Sequence, residues 1–228
     1  MFIGHYGVSL AAKKYESRIS LGILFLAVQF LDILFAILVL LNIEHMRIVP
    51  GFTKFNPYDL YYMPYSHSLL GSLLWSMLVA LIYWWVVRPW DSGSKGAAII
   101  GFAVFSHFLL DLPMHVHDMP LLMSESSTKL GLGLWNHRNL SLLAEAVCFF
   151  GGAFLYLRST QAVSKFGQAI TATVFLVLSV LLFLTPFMPP PANSRAFAFQ
   201  ALGSYFLLAL LAECVDRVRE PKSLLPKS

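Results

Sequence analysis

Apolar positions in this chain gather into runs of about 16 to 21 residues, separated by short segments that hold nearly all the charge. At a rise of about 1.5 Å per residue, six of these runs are suited to crossing roughly 30 Å of hydrocarbon: 21–41, 68–87, 97–112, 140–157, 169–188 and 196–215. The third is short and carries polar residues. Backbone groups in lipid must be satisfied within their own segment, so the runs predict helices and the chain an all-α, polytopic membrane helix bundle. Trp84, Trp85, Trp90 and Trp135 stand near span ends, as interfacial anchors do. One apolar stretch, 1–12, is too short to cross and ends at Lys13-Lys14. It reads either as a surface helix or as a half-helix entering from the inside, which would carry His5 roughly 12 Å deep, near the midplane.

Composition sharpens this picture. Apolar residues make up 57% of the 228 and charged ones 12%, which is too little polar surface to cover a water-soluble globule. The mean hydropathy is +0.69. The net charge of +4 does not point to nucleic acid, because the basic residues flank apolar runs. Eleven of the sixteen Lys and Arg lie in the N-terminus, the segments after spans two and four, and the C-terminus. The positive-inside rule then predicts cytoplasmic termini and places loops 42–66 and 113–139 on the external or periplasmic side, in a bacterial inner membrane. The first run exceeds a signal-peptide core and is followed by Asn42-Ile43-Glu44-His45 rather than a small-x-small site, so it is expected to stay in the mature protein. Cys148 and Cys214 lie inside apolar runs and build neither a disulfide framework nor a CxxC site. Pro189-Pro190-Pro191 reads as a stiff external turn, and Arg217, Arg219, Lys222 and Lys227 as an ordinary cytoplasmic tail. Gly151-Gly152 allows close helix contact, within the chain or between chains.

The chemistry lies in polar residues inside these runs. An Asp at mid-span costs on the order of 3 kcal/mol on insertion scales, so an intramembrane carboxylate calls for a partner. Asp32 is in the middle of span one, His67 opens span two, His107 and Asp111 are in span three, and Glu145 is in span four. His107 and Asp111 are four residues apart, so imidazole and carboxylate project from one helix face. Were the helix to continue past Pro113, His115 and Asp118 would share that face and His117 would not. The predicted topology brings these groups to one layer. Four histidines (His5, His67, His107, His115) and four carboxylates (Asp32, Asp111, Asp118, Glu145) there form the ligand set of a zinc-type site of one to three ions. On this reading residues 1–158 carry the site, while 159–228 add two packing spans and the tail. His45, His117 and His137 read as loop histidines.

Gly4-His5, Leu31-Asp32, Tyr65-Ser66-His67-Ser68-Leu69 and Ser106-His107-Phe108-Leu109-Leu110-Asp111 together resemble the membrane-bound metal-dependent hydrolases, a family linked to zinc-dependent phospholipase C. His115-Val116-His117-Asp118-Met119-Pro120-Leu121 and Gly131-Leu132-Gly133-Leu134-Trp135-Asn136, followed by Glu145, look like a branch of that group. The family's common Pro-Asp-x-Asp-His in span one is reduced here to Leu31-Asp32-Ile33-Leu34-Phe35, and its His-Arg before the Thr-His-Ser is absent. The resemblance implies hydrolysis. A zinc-type ion would activate water, Glu145 or Asp118 would act as general base, and a lipid or amphiphilic phosphoester or ester would be the substrate, its head reaching a site open to the outer half of the bilayer. Two other readings stand beside it: a transporter or metal-ion carrier with a midplane polar site, and a structural membrane protein whose polar groups only join helices.

Overall fold

The apolar runs fold as helices in a computed structural model that describes residues 1–87 and 93–222; Trp90 and Lys227 lie outside the described residues. The helices are α1 (His5–Tyr15), α2 (Leu21–Val28), α3 (Phe30–Leu40), α4 (Leu69–Val87), α5 (Ser94–Met114), α6 (Arg138–Ser159), α7 (Lys165–Leu184) and α8 (Ser194–Arg217). Strands occur only as short antiparallel pairs among the described residues: β1 (His45–Ile48) with β2 (Tyr58–Tyr62), β3 (Met119–Pro120) with β4 (Lys129–Leu130), and β5 (Thr160–Ala162) with β6 (Arg219–Pro221). The fold is an all-α bundle.

Five helices, α4 to α8, are long and apolar enough to cross a membrane, and the bent pair α2–α3 would make a sixth span. Large apolar side chains cover the outside, among them Met77 and Trp85 on α4, Leu176 on α7, and Phe199 and Leu210 on α8. Such a surface is costly in water and suited to lipid.

The structure departs from the sequence reading in two places that matter for the site. Run 21–41 is not one continuous helix: it breaks at Gln29 and bends by 57°. Ser20 caps α2 by accepting from the Ile23 amide, and the break at Gln29 interrupts the ladder and leaves the Val28 carbonyl available to another partner. The third run is longer than its apolar stretch, because α5 extends to Met114 with Pro113 in its last turn. The chain leaves the helix at His115, which is in extended conformation. Of the two readings of 1–12, a surface helix or a half-helix within the bundle, the surface helix is not the one found: α1 is buried inside the bundle, with Tyr6 and Leu10 inaccessible.

The approach of α1 to α6 depends on two glycines. A Cβ on Gly7 would stand 2.0 Å from the Cys148 carbonyl oxygen, and one on Gly152 would stand 2.0 Å from the Gly7 carbonyl oxygen. The close contact foreseen at Gly151-Gly152 is thus made within the chain, by Gly152 alone; a Cβ on Gly151 would meet nothing within 4 Å. At its other end α1 is tied to α8 by Lys13, whose Nζ is 2.7 Å from Asp216 Oδ2.

Candidate metal centre

α5 is the backbone of the site. His107 and Asp111 project from the same face, one turn apart, with His107 Nε2 3.1 Å from Asp111 Oδ2. Three other elements converge on this pair. α3 brings Asp32, whose Oδ1 is 3.5 Å from His107 Nε2, and the segment leading into α4 brings His67, whose Nε2 is 3.3 Å from the same Asp32 oxygen. α1 brings His5, which stacks on His107 with ring centroids 3.9 Å apart and has Nε2 3.5 Å from Asp111 Oδ1. Just past α5, His115 turns back so that its Nε2 is 3.5 Å from Asp111 Oδ2. His5, His67, His107, Asp111 and His115 are all buried, and Asp32 is 19% exposed.

The other ring nitrogens of His67, His107 and His115 are already committed. His107 Nδ1 donates to the Val28 carbonyl, freed by the break between α2 and α3, at 2.7 Å. His115 Nδ1 donates to Asp118 Oδ1 at 3.0 Å. His67 Nδ1 is 2.7 Å from Ser66 Oγ, whose own proton goes to Glu44 Oε2 at 2.5 Å. With Nδ1 donating in each, the neutral form of these three imidazoles would turn bare Nε2 lone pairs towards two carboxylates. Lone pair against lone pair is repulsive, and a buried polar atom without a partner costs free energy. Among the described residues, His107 Nε2 and His5 Nδ1 are buried without a hydrogen bond. A cation bound by His107 Nε2 would remove its share of that penalty.

Spacing makes the same point. Two ligands each about 2.0 to 2.1 Å from one tetrahedral ion stand roughly 3.3 Å apart, close to the 3.1 to 3.5 Å between the Nε2 atoms and the Asp32 and Asp111 oxygens. Two triads, His5–His107–Asp111 and Asp32–His67–His107, have ligand atoms within 4.8 Å of one another and share His107. Buried histidine and aspartate groups at metal-binding distance are therefore present, and the donor set fits a divalent ion.

Two residues of the expected set have other positions. Asp118 stands behind His115 and orients it, with Oδ2 buried and unpartnered. Glu145 faces the N-terminus of α1, where Oε1 accepts from the Phe2 amide at 2.7 Å and Oε2 from the Gly4 amide at 2.6 Å. This is the familiar use of a carboxylate to satisfy orphan amides at a helix start. The three histidines read as loop residues stay out of the cluster: His45 stacks on Tyr61 and Tyr62, His117 is exposed and bonds the Gly131 carbonyl, and His137 precedes α6.

Several groups at the site left no usable mark in the sequence. Glu44 is fully buried and accepts from the Tyr65 and Ser66 amides and the Ser66 hydroxyl. Burial raises its carboxyl above the ordinary range against the pull of those hydrogen bonds. Tyr205 on α8 donates to Asp32 Oδ2 at 3.0 Å, so the last span does more than pack. The α-amino group of Met1 ion-pairs with Asp111 Oδ1. Trp135, expected as an interfacial anchor, is buried instead with its ring 4.1 Å from that of His115. The turn that allows this needs Gly131: its φ is +141° and a Cβ would be 1.8 Å from the Val116 carbonyl oxygen.

A cavity of about 420 Å³ leads away from the cluster. Asp32, His67, Asp111, His115 and Glu145 line one end, and the remaining wall is largely apolar, from Phe35 to the α7 and α8 side chains and the Pro189–Pro191 turn. Comparison with protein-family models, with curated proteins and with solved structures finds no match to this chain.

Proposed function

We propose that this protein is a membrane-embedded, metal-dependent hydrolase that cleaves a lipid or amphiphilic phosphoester. The observation that carries the reading is the inward-facing set of His67, His107 and His115 Nε2 atoms against Asp32 and Asp111, at the end of an apolar cavity. The resemblance of the His5, Asp32, His67 and His107–Asp111 motifs to membrane-bound metal-dependent hydrolases points the same way. The chain sits in a bacterial inner membrane with cytoplasmic termini, as its Lys and Arg distribution favours.

A zinc-type ion, when bound, supplies Lewis acidity towards a water and a phosphoryl oxygen. The chain's own residues do the rest. Val28, Ser66 with Glu44, and Asp118 hold the Nδ1 protons of His107, His67 and His115, which fixes ring tautomer and direction. Tyr205 holds Asp32 by its second oxygen. Of the two carboxylates expected as general base, Glu145 lines the cavity; each of its oxygens keeps a lone pair beyond the amide bonds it accepts. The apolar wall takes the hydrocarbon part of the substrate and excludes water from the charged end.

The test is elemental mass spectrometry on detergent-purified protein beside His107→Ala and Asp111→Ala variants that retain their helical content. One or more zinc per chain, lost in both variants, with hydrolysis of a lipid phosphoester that is lost in parallel, is the expected result. Absence of metal from the parent after zinc loading overturns the reading. The broken α2–α3 pair also favours a second one, a metal-ion carrier, since interrupted helices line transport sites. That alternative predicts zinc flux into proteoliposomes without turnover of any ester.

A further inference from the structure

A second cavity, of about 440 Å³, lies at the opposite ends of α1 and α5 from the metal centre. Lys95 on its wall precedes His107 by twelve residues, which is roughly 18 Å along the helix. The wall carries Lys13, Lys14, Arg18, Lys95 and Lys222 against a single carboxylate, Glu16.

The charges do not cancel. Lys13 is paired with Asp216, and Glu16 is shared between Arg18 at 2.9 Å and Lys95 at 3.7 Å. Among the described residues, two carboxylates thus face five cations. Lys14 and Lys222 are exposed and form no ion pair with a carboxylate among the described residues; Lys14 Nζ lies 5.7 Å from the centre of the Tyr15 ring. Two nearby carbonyls are covered, since Lys13 Nζ bonds the Ile19 oxygen and Lys95 Nζ the Tyr15 oxygen. The pocket joins two basic segments far apart in the chain. The β5–β6 pair sets Pro221 opposite Thr160 and so brings Lys222 beside the end of α6, facing Lys13-Lys14.

We propose that this pocket binds a phosphate-bearing anion, supplied by the headgroup of an anionic phospholipid. A recess with excess positive charge, at the level where α1, α5 and α6 end and where exposed Tyr15 stands beside it, matches the headgroup layer of a bilayer. The site is separate from the metal centre and does not depend on hydrolysis. The lipid bound here orients the protein and is not its substrate.

The experiment is native mass spectrometry of the full chain in neutral detergent, offered equal amounts of phosphatidylglycerol and phosphatidylcholine. Wild type retains phosphatidylglycerol preferentially, and Lys14→Ala with Lys222→Ala lowers that retention by about fivefold for each lysine removed. Both positions are exposed, and Lys14→Glu with an unchanged unfolding temperature serves as the second variant. Millimolar inorganic phosphate is added in a further arm. Phosphate that binds alone with the same lysine dependence, and displaces the lipid, supports the phosphate chemistry but assigns it to a soluble source. Equal retention of the two lipids, or phosphatidylglycerol retention unchanged in the variants, overturns the proposal.

Discussion

Three histidines of the cluster, His67, His107 and His115, are held from outside by Nδ1 and turned inwards by Nε2, and the two roles are separable by mutation. Asp118→Asn replaces the acceptor behind His115 while leaving the Nε2 in place, so it is expected to weaken zinc affinity by about 10- to 100-fold without removing an inward-facing group. A competition titration against a chromophoric chelator measures this, and an unchanged affinity would show that Asp118 does not orient His115. Ser66→Ala breaks the link between Glu44 and His67 and is expected to weaken zinc binding by a similar factor. His107–Asp111 was legible in the sequence because helical periodicity alone sets four residues on one face. Glu44 was not: it lies in a loop, 22 residues from Ser66, and no local rule relates the two.

Among the elements, α1 shows how packing decides chemistry. Its 11 residues are too few to cross a membrane, yet it delivers His5 to the cluster because Gly7 and Gly152 let it lie directly against α6. Gly7→Val sets a side chain into the Cys148 backbone and is expected to destabilise the protein by about 3 kcal/mol and to lower zinc content, whereas Gly151→Ala, with open space around it, is expected to leave both within error. Thermal unfolding with metal analysis of the same preparations checks both, and equal behaviour of the two variants would remove the steric argument. The break at Gln29 belongs to this scale as well. Hydropathy sees one continuous apolar run at 21–41, because an interrupted ladder inside a bundle need not be paid for in polar residues when a neighbouring imidazole takes the freed carbonyl.

For the whole molecule, Asp32 and Asp111, set among four histidines in an apolar bundle and with Asp111 paired to the Met1 α-amino group, form a charge distribution that a further bound cation would stabilise. Chelation of the purified protein is therefore expected to lower its unfolding temperature, by the linkage that stabilises any fold whose native state alone binds the ligand. Readdition of zinc restores it in wild type and not in Asp111→Ala; an unfolding temperature insensitive to chelation would argue against a metal that bridges α1, α3 and α5. The sequence by itself determined what depends on local composition and periodicity: apolar runs of spanning length, an all-α fold, and the His107–Asp111 pair on one helix face. Tertiary structure decided the rest. Whether α1 lay inside or outside, that Glu145 would serve the α1 amides, that Glu44 and Tyr205 would brace the cluster, and that Lys14 and Lys222 would share a pocket all follow from contacts between segments tens to hundreds of residues apart. The physical reason is that helix formation in an apolar setting is settled within each segment by its own backbone hydrogen bonds, while the position of a polar side chain is settled by whichever neighbour can satisfy it.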